Sequence, residues 1–364
     1  MADATPSGSS AAQGSPGATT IRARTPYWDN SRAIAIVLVV VGHAIQPLNS
    51  MLELSYATYL VIYAFHMPAF ALLAGYFSRA EPGAKQLGRI VTDLLVPYLV
   101  LQTVWTLIRF AAGEGSTFDP ASPSWTLWFL LALAVFRMVL PVIARLRTPL
   151  LITVALSVGV GYFDSIDTTF SLSRTFGLLP FFTLGWWLAD RGVIDRLRWL
   201  ELDRFDPRVL VTRAVAATAF GAAAVVALVG NDFFGTIGAG RILFYADDYA
   251  ALGLTEWWAG IVRLLVIGIG VALTLSLLAL VPRTATPITW IGTHTMYVYL
   301  LHTFPLYALR QSDLTGVGAP AWLWFIGLLV GSVLLTLLLS SKPVRFVTRP
   351  IVEPRVGWLL ARER

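Results

Sequence analysis

The chain has no cysteine in its 364 residues. Disulfides, thiolate nucleophiles and cysteine-based metal sites are therefore excluded. Charge is scarce as well. Asp, Glu, Lys and Arg make up 13% of the residues, against about 25% in an average soluble domain. Lysine stands only at Lys85 and Lys342. Histidine occurs four times, at His43, His66, His294 and His302, so any imidazole chemistry has a short set of candidates. What fills the chain instead is apolar: 56% of residues are hydrophobic and the mean hydropathy is +0.69. This composition excludes an ordinary soluble domain and places the protein in a lipid bilayer. The formal charge of +6 is no nucleic-acid signal, because the basic residues are dispersed among loops.

Residues 1–26 are rich in Ala, Ser, Gly, Thr and Pro and predict a disordered tail. They contain no apolar h-region, so no signal peptide is expected there. Ten hydrophobic spans follow at about 33–49, 55–78, 88–111, 124–144, 149–163, 174–190, 209–230, 257–281, 288–310 and 320–341. The fifth and sixth are short for a full crossing. The expected fold is all-α: a polytopic integral membrane protein built as a bundle of about ten transmembrane helices over 27–341. A basic tail at 342–364 follows. Of 27 Lys and Arg, only Arg174, Arg241 and Arg310 fall in one set of loops, and Arg109, Arg137, Arg213 and Arg263 lie within spans. The remaining twenty flank the other side. By the positive-inside rule both termini are cytoplasmic, which agrees with ten crossings of the cytoplasmic (inner) membrane. The longest outer loop, 231–256, reads either as a cover over a pore mouth or as a solvated connector.

Residues 27–48, YWDNSRAIAIVLVVVGHAIQPL, carry polar groups into a membrane helix. Asp29 and Arg32 stand at its start and His43 lies in an apolar run. An ionisable group at membrane depth is costly unless it has a partner or lines a cavity. Arg32 and His43 are eleven residues apart, about 16 Å along a helix and within about 20° of the same direction. Asp29 lies about 40° off that line. One stripe thus offers a carboxylate and a guanidinium near the surface and an imidazole deeper in. The alternative for Arg32 is a snorkelling interfacial charge, and for His43 a helix–helix hydrogen bond. Imidazole suits general-base work because it titrates near neutrality. A guanidinium suits phosphate, whose oxygens match its planar donors.

Further motifs accompany this one. FHMPAFALLAGYFSR (65–79) puts His66 mid-membrane beside Pro68, with Gly75 permitting close helix approach. WTLWFLLAL (125–133) opens the fourth span, and its two tryptophans read as an interfacial belt. WIGTHTMYVYLLHTFPLY (290–307) carries His294 and His302 about 80° apart around a helix, so this pair is not expected to bind metal. Its threonines and tyrosines imply that part of the helix lines something other than lipid. Arg263, inside the eighth span, either snorkels or meets an anionic substrate group or an acid such as Glu256. GLLPFFTLGWWL (177–188) loosely echoes 65–77, with different Pro-to-Gly spacing. An inverted-repeat transporter or exporter of a glycan or lipid-like substrate, the alternative reading, would call for paired broken helices, which the sequence lacks.

Taken together these segments resemble the acyltransferase-3 family of membrane acyltransferases, in its fucose-4-O-acetylase-like branch. The resemblance rests on WDNSRAIAIVLVVVGHA, FHMPAFALLAGYFS, LLVPYLVLQ, LWFLLAL, LPFFTLGWWL and IGTHTMYVYLLHTF in that order. It implies transfer of an acyl group, often acetyl, from acyl-CoA as co-substrate to a hydroxyl of a carbohydrate, glycolipid or other metabolite, with no permanently bound cofactor. It implies that His43 is essential for transfer, that Arg32 engages the donor, and that Asp29 fills the acidic position before that Arg. His66 and His302 match recurrent motif positions. The chain's end, about twenty residues after the tenth span, suggests the stand-alone form without an extra hydrolase-like domain.

Overall fold

Long apolar runs leave backbone polar groups no solvent partner, so they must satisfy one another within the segment, and the α-helix does this. In the computed structural model, which describes residues 25–115, 117–312 and 318–354, every regular element among those residues is helical. In chain order these are α1 (Pro26–Ile45), α2 (Glu53–Tyr76) and α3 (Ala84–Ile90), which runs through a π-helical turn at Val91–Leu95 into α4 (Val96–Ala111). Then come α5 (Trp128–Ile143), α6 (Pro149–Val160), α7 (Leu172–Asp190), α8 (Val193–Arg196) and α9 (Pro207–Val229). The segment 231–256 contains α10 (Asn231–Thr236) and α11 (Ala239–Leu243). The last group is α12 (Ala259–Leu280), α13 (Thr289–Gly292), α14 (Thr295–Leu301), α15 (Thr303–Gln311), α16 (Ala321–Ser340) and α17 (Lys342–Val352). The tail expected at the N-terminus lies outside the described residues as far as residue 24, and so do residues 355–364 of the C-terminal one.

Each of the ten expected segments is helical, but only six helical stretches among the described residues are long and apolar enough to cross a membrane. They are Pro26–Leu48, Glu53–Tyr76, Ala84–Ala111, Pro207–Val229, Ala259–Leu280 and Ala321–Ser340. α5 and α6 are shorter apolar helices. α7 mixes Ser, Thr, Pro and Trp with its apolar residues. The ninth segment is divided among α13, α14 and α15, with His294 as the non-helical residue before α14.

α1 is central. It packs against α2, α13, α14 and α16, and Ala33, Ala35, Ile36, Val39 and Val40 are almost fully buried. α9 by contrast turns Val211, Val215, Val225 and Val229 outward, toward lipid. One polar anchor and one close backbone contact hold α1 in place. Asn30 is fully buried. Its amide donates to the carbonyls of Pro282 (2.9 Å) and Thr284 (2.8 Å), and its oxygen accepts from the Thr286 and Thr289 hydroxyls at 3.0 and 2.6 Å. Gly292 of α13 abuts the backbone of Asp29; a methyl there would overlap the Asp29 carbonyl.

α2 remains one helix through Pro68 and crosses α7 at reciprocal glycines. A methyl on Gly75 would overlap the Phe182 carbonyl oxygen, and one on Gly185 the Leu72 carbonyl oxygen. The two segments whose sequences loosely echo each other are therefore packed face to face, each leaning on the other's glycine.

Candidate active site

The stripe along α1 opens onto two spaces. At its start, Arg32 lines a cavity of about 470 Å³. Arg79, Arg89 and Arg137 line it too, facing the single carboxylate of Asp93. Arg79 follows α2, Arg89 lies on α3, Arg137 on α5, and Asp93 within the π-helical turn, a distortion common at functional sites. The floor is apolar, with Phe70, Leu73, Phe77, Phe129 and Leu133. Asp29 is buried, and its carboxylate pairs with Arg32 at 3.3 Å. The Arg32 guanidinium also rests over the Phe77 ring at 4.5 Å. Two contacts thus orient this guanidinium. An excess of guanidinium groups above an apolar floor suits a ligand with several phosphates and an apolar arm.

Farther along α1, His43 lines a narrow chamber of about 30 Å³ with Tyr63, His66, Met67, Trp128 and Tyr299 among its walls. Three histidines from three separate segments gather here. The His43 ring centroid is 5.4 Å from that of His302 and 6.5 Å from that of His66. The Tyr63 hydroxyl lies 3.0 Å from His43 Nδ1. His66 Nδ1 donates to the Ile62 carbonyl and His302 Nδ1 to the Val298 carbonyl, each at 2.9 Å. A carbonyl only accepts, so both rings carry their proton on Nδ1. Among the described residues no group of three or more His, Asp or Glu is disposed to hold a metal ion.

An aromatic partition separates the two spaces. Phe70 and Phe129, with centroids 6.5 Å apart, wall the arginine cavity, and Tyr299, 6.1 Å from Phe129, walls the histidine chamber. Tyr299 is pinned by its hydroxyl to the Thr126 carbonyl. The end of α11 and the residues after it close the chamber with Leu243, Phe244 and Tyr245. Of the two readings of residues 231–256, the cover is therefore the one seen. Arg310 donates to the His43 carbonyl (2.9 Å) and to Gln46 (2.7 Å), tying down the end of α1.

The expected site residues thus divide. Arg32 lines the cavity with Asp29 paired to it, His43 and His66 line the chamber, and the His302 ring lies 5.4 Å from that of His43 without lining the chamber. Fourteen residues separate Asp29 from His43, about 21 Å of helix, so Asp29 acts on Arg32. Arg263 lines neither space. It is buried with its guanidinium 4.8 Å from the Tyr245 ring and 5.6 Å from that of Tyr249, supporting the cover from behind. His294 is a local cap, bonded to the Trp290 carbonyl and the Thr293 hydroxyl. Trp128 is a chamber wall beneath the Arg174 guanidinium, 5.1 Å away, rather than simply part of an interfacial belt. Residues that sequence reasoning missed are Arg137, Asp93, Tyr63 and Phe244. For Arg137 a signal existed, a guanidinium within an apolar span.

A family model described as an acyltransferase domain, that of the acyltransferase-3 family, matches residues 25–341. The match takes in the arginine cavity and the histidine chamber, and the chain belongs to this family of membrane acyltransferases. No curated protein and no solved structure matches the chain.

Proposed function

We propose that the protein is an integral membrane O-acyltransferase of the fucose-4-O-acetylase-like branch. It takes an acyl group, acetyl by preference, from cytoplasmic acyl-CoA and delivers it to a hydroxyl of a carbohydrate, glycolipid or other metabolite. The observation that carries this reading is that one helix, α1, presents Arg32 to a multi-arginine cavity and His43 to a histidine chamber. The about 16 Å between them matches part of a pantetheine arm.

In this reading the donor's phosphates bind among Arg32, Arg79, Arg89 and Arg137. Asp29 holds Arg32 in place without touching the donor. The thioester passes the Phe70–Phe129–Tyr299 partition into the chamber. His43 takes the proton of the acceptor hydroxyl as its oxygen attacks the thioester carbonyl. The carbon–sulfur bond breaks, and the proton passes from His43 to the departing thiolate. The chamber excludes bulk water, which limits hydrolysis of the donor. In this reading the N-terminus is cytoplasmic, which the distribution of basic residues in the sequence supports, and the arginine cavity at the start of α1 opens on the side where acyl-CoA resides. The test is release of free CoA from acetyl-CoA by purified protein in detergent, without a gradient, in the presence of candidate acceptors. A His43→Ala variant that inserts normally and still transfers at the wild-type rate removes this mechanism.

A further inference from the structure

The first turn of α7 holds several polar atoms with nothing to bind. Ser171 Oγ, Ser173 Oγ and Arg174 Nε are each buried without a hydrogen-bond partner among the described residues. Such a cluster calls for an explanation. Ser171, just before the helix, caps nothing with its side chain. It and Phe170 are consecutive non-glycine residues in the left-handed region, a strain that gathers at ligand sites. This turn stands beside the chamber. Leu178 is a chamber wall, and Arg174, four residues earlier on the same face, lies about 6 Å farther along the helix. The Arg174 guanidinium stacks over another wall, the Trp128 ring, at 5.1 Å. α7 runs antiparallel to α2, with Gly185 against Leu72 and Gly75 against Phe182. Along α2 the chamber residues Tyr63 and His66 precede the cavity residues Leu73 and Ala74. Arg174 is therefore at the end of the chamber opposite to the arginine cavity. It is half-buried, so a ligand reaches it from that side. The acid whose charge reaches it among the described residues is Asp247, and that carboxylate pairs with Arg241 at 2.8 Å.

Building on the acyltransferase reading, we infer that this turn binds a carboxylate of the acceptor, which is an acidic carbohydrate entering opposite to acyl-CoA. With one face of its guanidinium over Trp128, Arg174 offers its edge, and that edge matches the two oxygens of a carboxylate. A single guanidinium balances one negative charge, in contrast to the four that await the donor's phosphates. The positive end of the 19-residue α7 favours an anion at the same place. The charge of Arg174 also reaches the hydroxyls of Tyr63 and Tyr299, both chamber walls. A ligand held at Arg174 thus extends to the chamber. The chamber's volume of about 30 Å³ admits the reacting hydroxyl while the sugar ring stays at the mouth.

The test is a calorimetric titration of the full chain with 4-nitrophenyl β-glucuronide and 4-nitrophenyl β-glucoside, a pair that differs in one carboxylate. Saturating CoA keeps the probes out of the arginine cavity. Wild type is expected to bind the glucuronide about ten- to a hundredfold more tightly than the glucoside. Arg174→Gln is expected to lose that preference while its Kd for acetyl-CoA stays at the wild-type value. Arg174→Lys, which keeps the charge and not the fork, retains part of the preference and serves as the second variant if Gln does not fold. A wild type that binds the glucuronide no more tightly than the glucoside, or a full preference in Arg174→Gln, overturns the inference. So does a Lys variant with the full wild-type preference. Failure of the acyltransferase reading gives a different result: a folded wild type that prefers the glucuronide and releases no CoA from acetyl-CoA with any acceptor.

Discussion

At the scale of single residues, the proposed reaction turns on a few polar groups in apolar surroundings. Arg32 offers a planar guanidinium oriented by Asp29 and Phe77. A hydrogen bond to a charged group contributes about 1.5–3 kcal/mol, and about 1.4 kcal/mol is tenfold in affinity. Arg32→Ala is expected to raise the KM for acetyl-CoA by about ten- to a hundredfold with a small effect on kcat. Initial-rate kinetics check this, and Arg32→Lys should recover only part of the loss, because an ammonium lacks the planar fork. Asn30 is a different case. Its four hydrogen bonds join α1 to the segment before α13 and to the first residue of α13. Asn30→Ala leaves buried groups unsatisfied at about 1–3 kcal/mol each, so the thermal midpoint in detergent should drop. The histidines were legible in the sequence because an imidazole stands out in a valine-rich run. Arg32 and His43 were legible as a pair because the α-helical period fixes the angle between them. Asn30 was not, since an amide near a helix start reads equally well as exposed.

At the scale of helices, the decisive contact is the α2–α7 crossing, where backbone meets backbone at Gly75 and Gly185. Here even one methyl group must push a helix aside. Gly185→Ala is expected to lower the yield of folded protein and its thermal midpoint. Gly221→Ala on α9 should leave both unchanged, because the space beside Gly221 is open. Fluorescence-detected size-exclusion profiles of the two variants make the comparison. The long helices were readable from apolar runs, but the short α8, α10 and α11 and the basic α17, in what reads as a tail, were not, and neither were the partners of any helix. Periodicity within a segment says which residues share a face and nothing about which distant segment that face meets. For that reason Arg137 and Trp128 were read as isolated features of their own spans. The division of the ninth segment also escaped notice, because Gly292 reads as a residue of a long span until the Asp29 backbone is found against it.

At the scale of the whole molecule, the proposed division is between an arginine-lined cytoplasmic cavity and a covered histidine chamber beyond an aromatic partition. The absence of cysteine makes its orientation directly measurable. Single cysteines placed at Arg196 or Arg345 are expected to react with a membrane-impermeant maleimide only after the membrane is opened. Those at Glu114 or Asp232 should react in intact cells. The reverse pattern would turn the arginine cavity away from acyl-CoA. The most direct test of the central claim is a paired measurement of acetyl-CoA binding and acyl transfer on wild type, Arg32→Ala and His43→Ala. Arg32→Ala is expected to bind acetyl-CoA about ten- to a hundredfold more weakly, whereas His43→Ala binds the donor as wild type does and transfers nothing. Wild-type transfer by His43→Ala, or no binding of acetyl-CoA by folded wild type, would contradict it.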